Sequence, residues 1–231
     1  MRTSSPHVRL VGSFEELVSA RFAGEINALC WPRTLPGDFR ELVGKLHAEA
    51  GITTIDDDDL RALDLSADGA AARAMLLEDQ ALLRGRALDP TLDCIVGYPR
   101  DATAGPVVTD VYSFHADRAP VEADTWLCTY TGACSEGLAN EQAIRRIDDA
   151  ATRASLLASY GGRDGAGFTD WLASNSYDLH YAPRAGAEPY AFGQGNLWRI
   201  AIDWPGCPVP PCIHRAPQTP PGAPARLLLI S

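Results

Sequence analysis

The sequence lacks any run of about 18 apolar residues, the length that spans a bilayer, so no membrane-crossing helix is expected. Residues 1–10 hold no apolar segment of signal-peptide length, and a cytoplasmic protein without membrane association is the expectation. Basic residues are few. Lys and Arg number 20 against 30 Asp and Glu, for a formal net charge of -10 and a pI near 4.9. Phosphate backbones are bound by clustered cations, so this balance disfavours nucleic acid as a partner. Internal repeats, low-complexity linkers and heptad patterns are also missing, which excludes solenoids and coiled coils and leaves the oligomeric state open.

What is there is the composition of a globular protein: 46% hydrophobic residues, 22% charged residues and 5 Trp in 231 residues. A single domain covering 1–231 is expected. Residues 1–90 read as mainly helical. SFEELVSARFAGEINALCW opens with Ser13 as N-cap and Glu16 at capping-box spacing, and GDFRELVGKLHAEAG sets Phe39, Leu42, Val43 and Leu46 on one face, with Gly51 as its stop. The four Asp at 56–59 precede a third helical pattern, LRALDLSADGAAARAMLLEDQALLRG. They are expected to complement a helix N-terminus, since they lack the spacing of a calcium loop.

After Pro90 the texture changes to short β-branched and aromatic runs, LDCIVGY, PVVTDVYSF, TWLCTYTG, GNLWRIAIDW and ARLLLIS, punctuated by Gly, Pro and Asp. A helical insertion is expected near 140–167. The pattern predicts a mainly β fold with helices, a double-stranded β-helix (cupin-like jelly roll) core over 91–231 braced by the N-terminal helices. The six cysteines are expected as free thiols of a reducing compartment, and their C-x5-C and C-x4-C spacings are loose for a zinc knuckle. Tyr112, Phe114, Trp126, Tyr130 and Trp198 are expected mostly in the core.

Histidine is scarce, with five residues: His7, His47, His115, His180 and His214. In VYSFHADRAP, His115 and Asp117 lie two positions apart at a strand end, where period-2 geometry turns both side chains to one face. A second imidazole from a distant strand would complete a 2-His-1-carboxylate facial triad, the donor set of mononuclear Fe(II) sites, leaving three coordination positions open. His214 is the expected partner. His7 lies near the terminus and His47 on an expected helix, whereas His180, in YDLHYAP, could line the pocket or substitute as a ligand.

Twelve residues after His214 stands Arg226. With it, the chain resembles the Fe(II)- and 2-oxoglutarate-dependent oxygenase superfamily over about 92–231, whose H-x-D and distal His are followed by a basic residue. The resemblance implies Fe(II) at His115, Asp117 and His214, and 2-oxoglutarate as cosubstrate. It also implies that Arg226 grips the far carboxylate of the cosubstrate. Arg offers a two-pronged fork for that task. Arg215 is the second candidate, although its position next to His214 turns it away from the metal face. Tyr130 is expected near the cosubstrate. Asp117 in the carboxylate position argues against a halogenase.

FHADRAP, CTYTG and HRAP also resemble strings of a bacterial domain family of unknown function. The expected activity is oxidation of a small molecule with O2. Two alternatives stand beside it: a cupin-type enzyme whose substrate itself chelates the metal, and a metal-binding protein closed by a further ligand. In a fourth reading the two histidines and the aspartate are unrelated.

Overall fold

A computed structural model describes residues 5–46, 48–100, 105–220 and 222–231. His47 lies outside the described residues. The N-terminal part holds β1 (Val8–Leu10), α1 (Phe14–Ser19), β2 (Ala28–Trp31), α2 (Phe39–Lys45), β3 (Ile52–Ile55), α3 (Asp57–Ala62) and α4 (Ala67–Arg84). Next come β4 (Thr91–Ile95), β5 (Phe114–His115), β6 (Asp124–Thr131), β7 (Glu136–Leu138), β8 (Ala143–Arg145), α5 (Ala150–Tyr160) and α6 (Ala166–Ser174). The chain finishes with β9 (His180–Pro183), β10 (Tyr190–Ala191), β11 (Leu197–Ala201), β12 (Ile213–Arg215) and β13 (Arg226–Ile230).

These elements form a mainly β architecture of two sheets, nearly all antiparallel, with helices outside. One sheet runs β1-β2-β11-β6-β13-β4-β3 and the other β10-β7-β12-β5-β9-β8. Four pairings join strands far apart in sequence in a nested order: β4 with β13, β5 with β12, β6 with β11, and β7 with β10.

The side-chain period of two sorts each strand between two environments. On β6, Trp126, Cys128 and Tyr130 join the core under α1–α4, while Leu127 joins the core shared with Trp198, Phe192 and Cys212 between the sheets. On β13, Leu227 and Leu229 face the helices and Leu228 faces the interior. Leu17, Leu42, Leu60, Leu76 and Leu83 press fully buried onto the outer face of the larger sheet. Each such leucine contributes about 1.5–3 kcal/mol, so the helices are firmly docked.

Local signals read from the sequence reappear with changed extents. Ser13 caps α1 through the Glu16 amide, and Asp56 caps α3 in a reciprocal box with Asp59, which accounts for the acidic run. The stretch from Ser13 to Trp31, expected to hold a short helix, ends α1 at Ser19 and then becomes β2. Ala28, Leu29 and Cys30 are buried within the sheet, and this pairing overrides helix propensity. The pattern after Asp56 splits into α3 and α4, because Ser66 caps a new helix. The N-terminal part thus adds three strands to the larger sheet as well as its helices. The insertion is also composite: β8 and two turns of 3-10 helix precede α5, which Gly161 ends in the left-handed conformation at φ 71°. No helix among the described residues is long and apolar enough to cross a membrane.

Candidate metal centre

β5 is only two residues long, but it lies between β12 and β9, so its register places His115 opposite both His214 and His180. The neighbours Phe114, Ile213 and Tyr181 pack together in a separate cluster on the outer side of the smaller sheet. The three imidazoles therefore share its inner face. Asp117 follows two residues on, fixed by its carbonyl, which accepts from the Asp203 amide at 2.8 Å.

His115, Asp117 and His214 each offer one ligand atom within 4.8 Å of the other two. Among the described residues these three form the metal-competent group, and no cysteine joins them. His115 Nε2 stands 3.8 Å from Asp117 Oδ1, and His214 Nε2 stands 3.7 Å from Asp117 Oδ2. Both gaps exceed a hydrogen bond, so the donors converge without engaging one another. Ligands about 2.0–2.2 Å from one ion would sit slightly closer together, and a small contraction completes the fit.

The outer contacts prepare the lone pairs. His115 Nδ1 lies 2.8 Å from the Ser113 carbonyl and His214 Nδ1 lies 3.3 Å from the Cys212 carbonyl, each two residues back in the chain, just before its strand. A ring that donates through Nδ1 presents Nε2 unprotonated to the centre. Thr125, from the larger sheet, donates to Asp117 Oδ2 at 2.6 Å and ties the carboxylate across the interior. Burial, and next the neighbouring His214, push the His115 pKa down to about 4. Burial would raise that of Asp117, but His214, Thr125 and His115 together bring it below the usual carboxylate value. The site thus holds a neutral imidazole at His115 and an ionised carboxylate at neutral pH, the forms that bind a metal. His115 and Asp117 open onto a cleft of about 470 Å³ that is also lined by Thr109, Val111, Ser176, Leu179 and His180.

Arg226 is 4% exposed and has no acidic partner among the described residues. Its Nη1 donates to Tyr98 Oη at 3.0 Å, its Nη2 to Thr129 Oγ1 at 3.0 Å and Ser135 Oγ at 2.7 Å, while Nε has no hydrogen bond. Burial lowers its pKa. Gly132, at φ +82°, allows the end of β6 to pass close to this strand. A Cβ there would meet Arg226 Cα at 2.8 Å. Thr129 and Thr125 are four residues apart on β6, so Arg226 and Asp117 are held by the same face of one strand at levels about 13 Å apart. Leu127 lies between them.

The other residues singled out are placed elsewhere. Tyr130 is not brought to the triad. It points to the helix side of β6, donates to Asp79 at 2.6 Å and stacks on Phe39. Arg215 turns away from the imidazoles, pairs with Glu136 and covers the Phe114 ring. His7 reaches Glu141 and is not among the residues that line the cleft. All six cysteines are free, four of them buried. His180 is the residue whose place in the row sequence reasoning left open, since only strand register reveals it. No family model, curated protein or solved structure matches this chain.

Proposed function

We propose that this protein is a non-haem Fe(II) oxygenase that uses 2-oxoglutarate and O2 to oxidise a small molecule. The observation that carries the reading is Arg226: a buried cation on the interior side, with hydroxyl partners and no carboxylate. Burying a charge without a counter-ion is costly, and an anionic ligand repays that cost. A chelating keto acid has such an anion at its far end, and Tyr98, Thr129 and Ser135 would donate to it beside the guanidinium. The nested strand pairs support a double-stranded β-helix reading: β4 to β7 and β10 to β13, numbered one to eight, pair one with eight, two with seven, three with six and four with five. The free thiols support a reducing, cytoplasmic setting.

Bound iron would supply the redox chemistry and the O2 site. His115, Asp117 and His214 would hold it and leave positions open, Thr125 would orient the carboxylate, and Arg226 would fix the cosubstrate. A cupin-type site in which the substrate alone chelates the metal leaves Arg226 without a role. Anaerobic titration with Fe(II), with and without 2-oxoglutarate, tests the proposal. A weak visible charge-transfer band is expected only with both present, and it should vanish in Asp117→Ala. Iron binding without the band would overturn the cosubstrate assignment.

A further inference from the structure

The helical insertion between β8 and β9 carries a core of its own. Ile147, Leu156, Phe168 and Leu172 are buried together with Tyr160, Trp171 and Tyr177 packed around them, and within this cluster Val107 alone comes from elsewhere in the chain. α5 and α6 pack chiefly on each other and on the 3-10 turns beside them. Apolar contact therefore holds the insertion together more than it holds it to the sheets.

Its polar tie is Arg118. This residue follows Asp117 and lines the cleft together with Ser176 and Leu179, at the foot of the insertion. Its Nη1 and Nη2 donate to the two oxygens of Asp178 at 3.3 and 2.5 Å, and Nη1 also reaches the Ala173 carbonyl near the end of α6 at 3.4 Å. Its Nε donates to Asp203 at 2.7 Å. Asp203 is itself pinned on both sides of Arg118: its amide donates to the Asp117 carbonyl at 2.8 Å, and its carbonyl accepts from the Ala119 amide at 2.9 Å. One guanidinium thus joins the segment behind the metal ligands, the loop after β11 and the turn that walls the cleft. The side chains of Arg118, Asp178 and Asp203 are 34%, 20% and 39% exposed, so water can take over each of these bonds. A unit with its own core, tied by ion pairs that solvent reaches, opens more readily than one whose apolar face must be uncovered.

We infer that Arg118 is the latch of a gate over the metal cleft: it is a positioning residue that holds the turn at 176–179, and the insertion behind it, against the segment that follows Asp117. This rests on the metal reading for what the gate guards, whereas the latch can be read without a metal. His115 and His214 belong to β5 and β12, and Asp117 is fixed through the Asp203 amide, so loosening the insertion alters the way in and leaves the ligand set in place. A gate of this kind changes the rates of entry and exit together, but a residue that aims a ligand changes affinity.

The test follows Fe(II) anaerobically in the full chain, by stopped-flow uptake and by release into an excess of the chelator ferrozine, with hydrogen–deuterium exchange read in parallel by mass spectrometry. Asp178→Asn breaks the grip from the insertion side without touching the neighbour of Asp117, and Arg118→Met removes it whole. In Asp178→Asn uptake and release should both quicken by about fivefold, with the dissociation constant within about twofold of wild type, on the scale of part-exposed ion pairs. Arg118→Lys should keep part of the slow exchange of iron, and combining Arg118→Met with Asp178→Asn should add little to Arg118→Met alone. Peptides from 146–179 should take up deuterium faster in both variants, while those from β6 and β13 stay as in wild type. Release that quickens without uptake in Asp178→Asn, or unchanged deuterium uptake over 146–179, would overturn the inference. A chain that binds no Fe(II) but shows the faster deuterium uptake over 146–179 would sink the metal reading and leave the latch standing.

Discussion

The Arg33 and Arg226 side chains are both buried against β6, on opposite faces of the larger sheet, and they are satisfied in opposite ways. Arg33 forms a two-pronged pair with Asp79 at 2.6 and 2.8 Å and donates from Nε to the Gly195 carbonyl at 2.9 Å. Burial works against its charge, but Asp79, Cys128 and Tyr130 more than offset it and raise its pKa. Arg226 has only hydroxyls and an idle Nε, and its pKa is lowered. Arg33 finds its counter-charge within the protein and docks α4 onto the sheet, whereas Arg226 finds only hydroxyls among the described residues, the feature on which the proposed anion-binding role rests.

The comparison can be broken most severely at the complete pair. Asp79→Ala leaves Arg33 buried without its carboxylate and should destabilise the fold by about 3–5 kcal/mol, read as a large fall in denaturant midpoint, with metal affinity in the folded fraction unchanged. Acid should act next. His115 titrates near 6.5 when unfolded but near 4 in the metal-free fold. Its contribution is whole above pH 6.5 and is lost as pH falls toward 4, on the order of 3 kcal/mol at most, because the unfolded chain takes up the proton first. Denaturation curves of wild type and His115→Gln at pH 7 and pH 5 would show the loss, which should be smaller in the variant.

Thr125→Val should cost about 1 kcal/mol of stability and lower metal affinity about 10- to 100-fold by calorimetry, since the carboxylate loses its fixed orientation. The smallest change in stability is expected for Arg226→Met, within about 1 kcal/mol of wild type, because a buried cation without a counter-ion is replaced by an apolar chain. The same variant should lose the 2-oxoglutarate-dependent band. Equal destabilisation by Arg226→Met and Asp79→Ala would erase the distinction between the two arginines.

The legible part of the site is the local part. His115 and Asp117 two apart at a strand end and a distant His214 could be read as one cluster because each signal is a spacing or a scarce residue type. Tyr130 could not be placed, since facing the cleft or the helices depends on the register of β6 against β13, and that pairing contains an irregularity between Leu227 and Leu228. His180 was legible as an aromatic-rich neighbour but not as a member of the row, which needs β9 to pair with β5. β2 was hidden for a related reason: an apolar run buried within a sheet carries no period of its own. Capping boxes at Ser13 and Asp56, by contrast, survive into the fold, as their chemistry spans only three residues.

The central claim is that His115, Asp117 and His214 hold one metal ion. Anaerobic equilibrium dialysis of Fe(II) against wild type, Asp117→Ala and His214→Ala, with folding checked by circular dichroism, tests it most directly. One ion per chain in wild type and a loss of at least tenfold in affinity in both folded variants is the predicted result, and undiminished binding in either variant would contradict it.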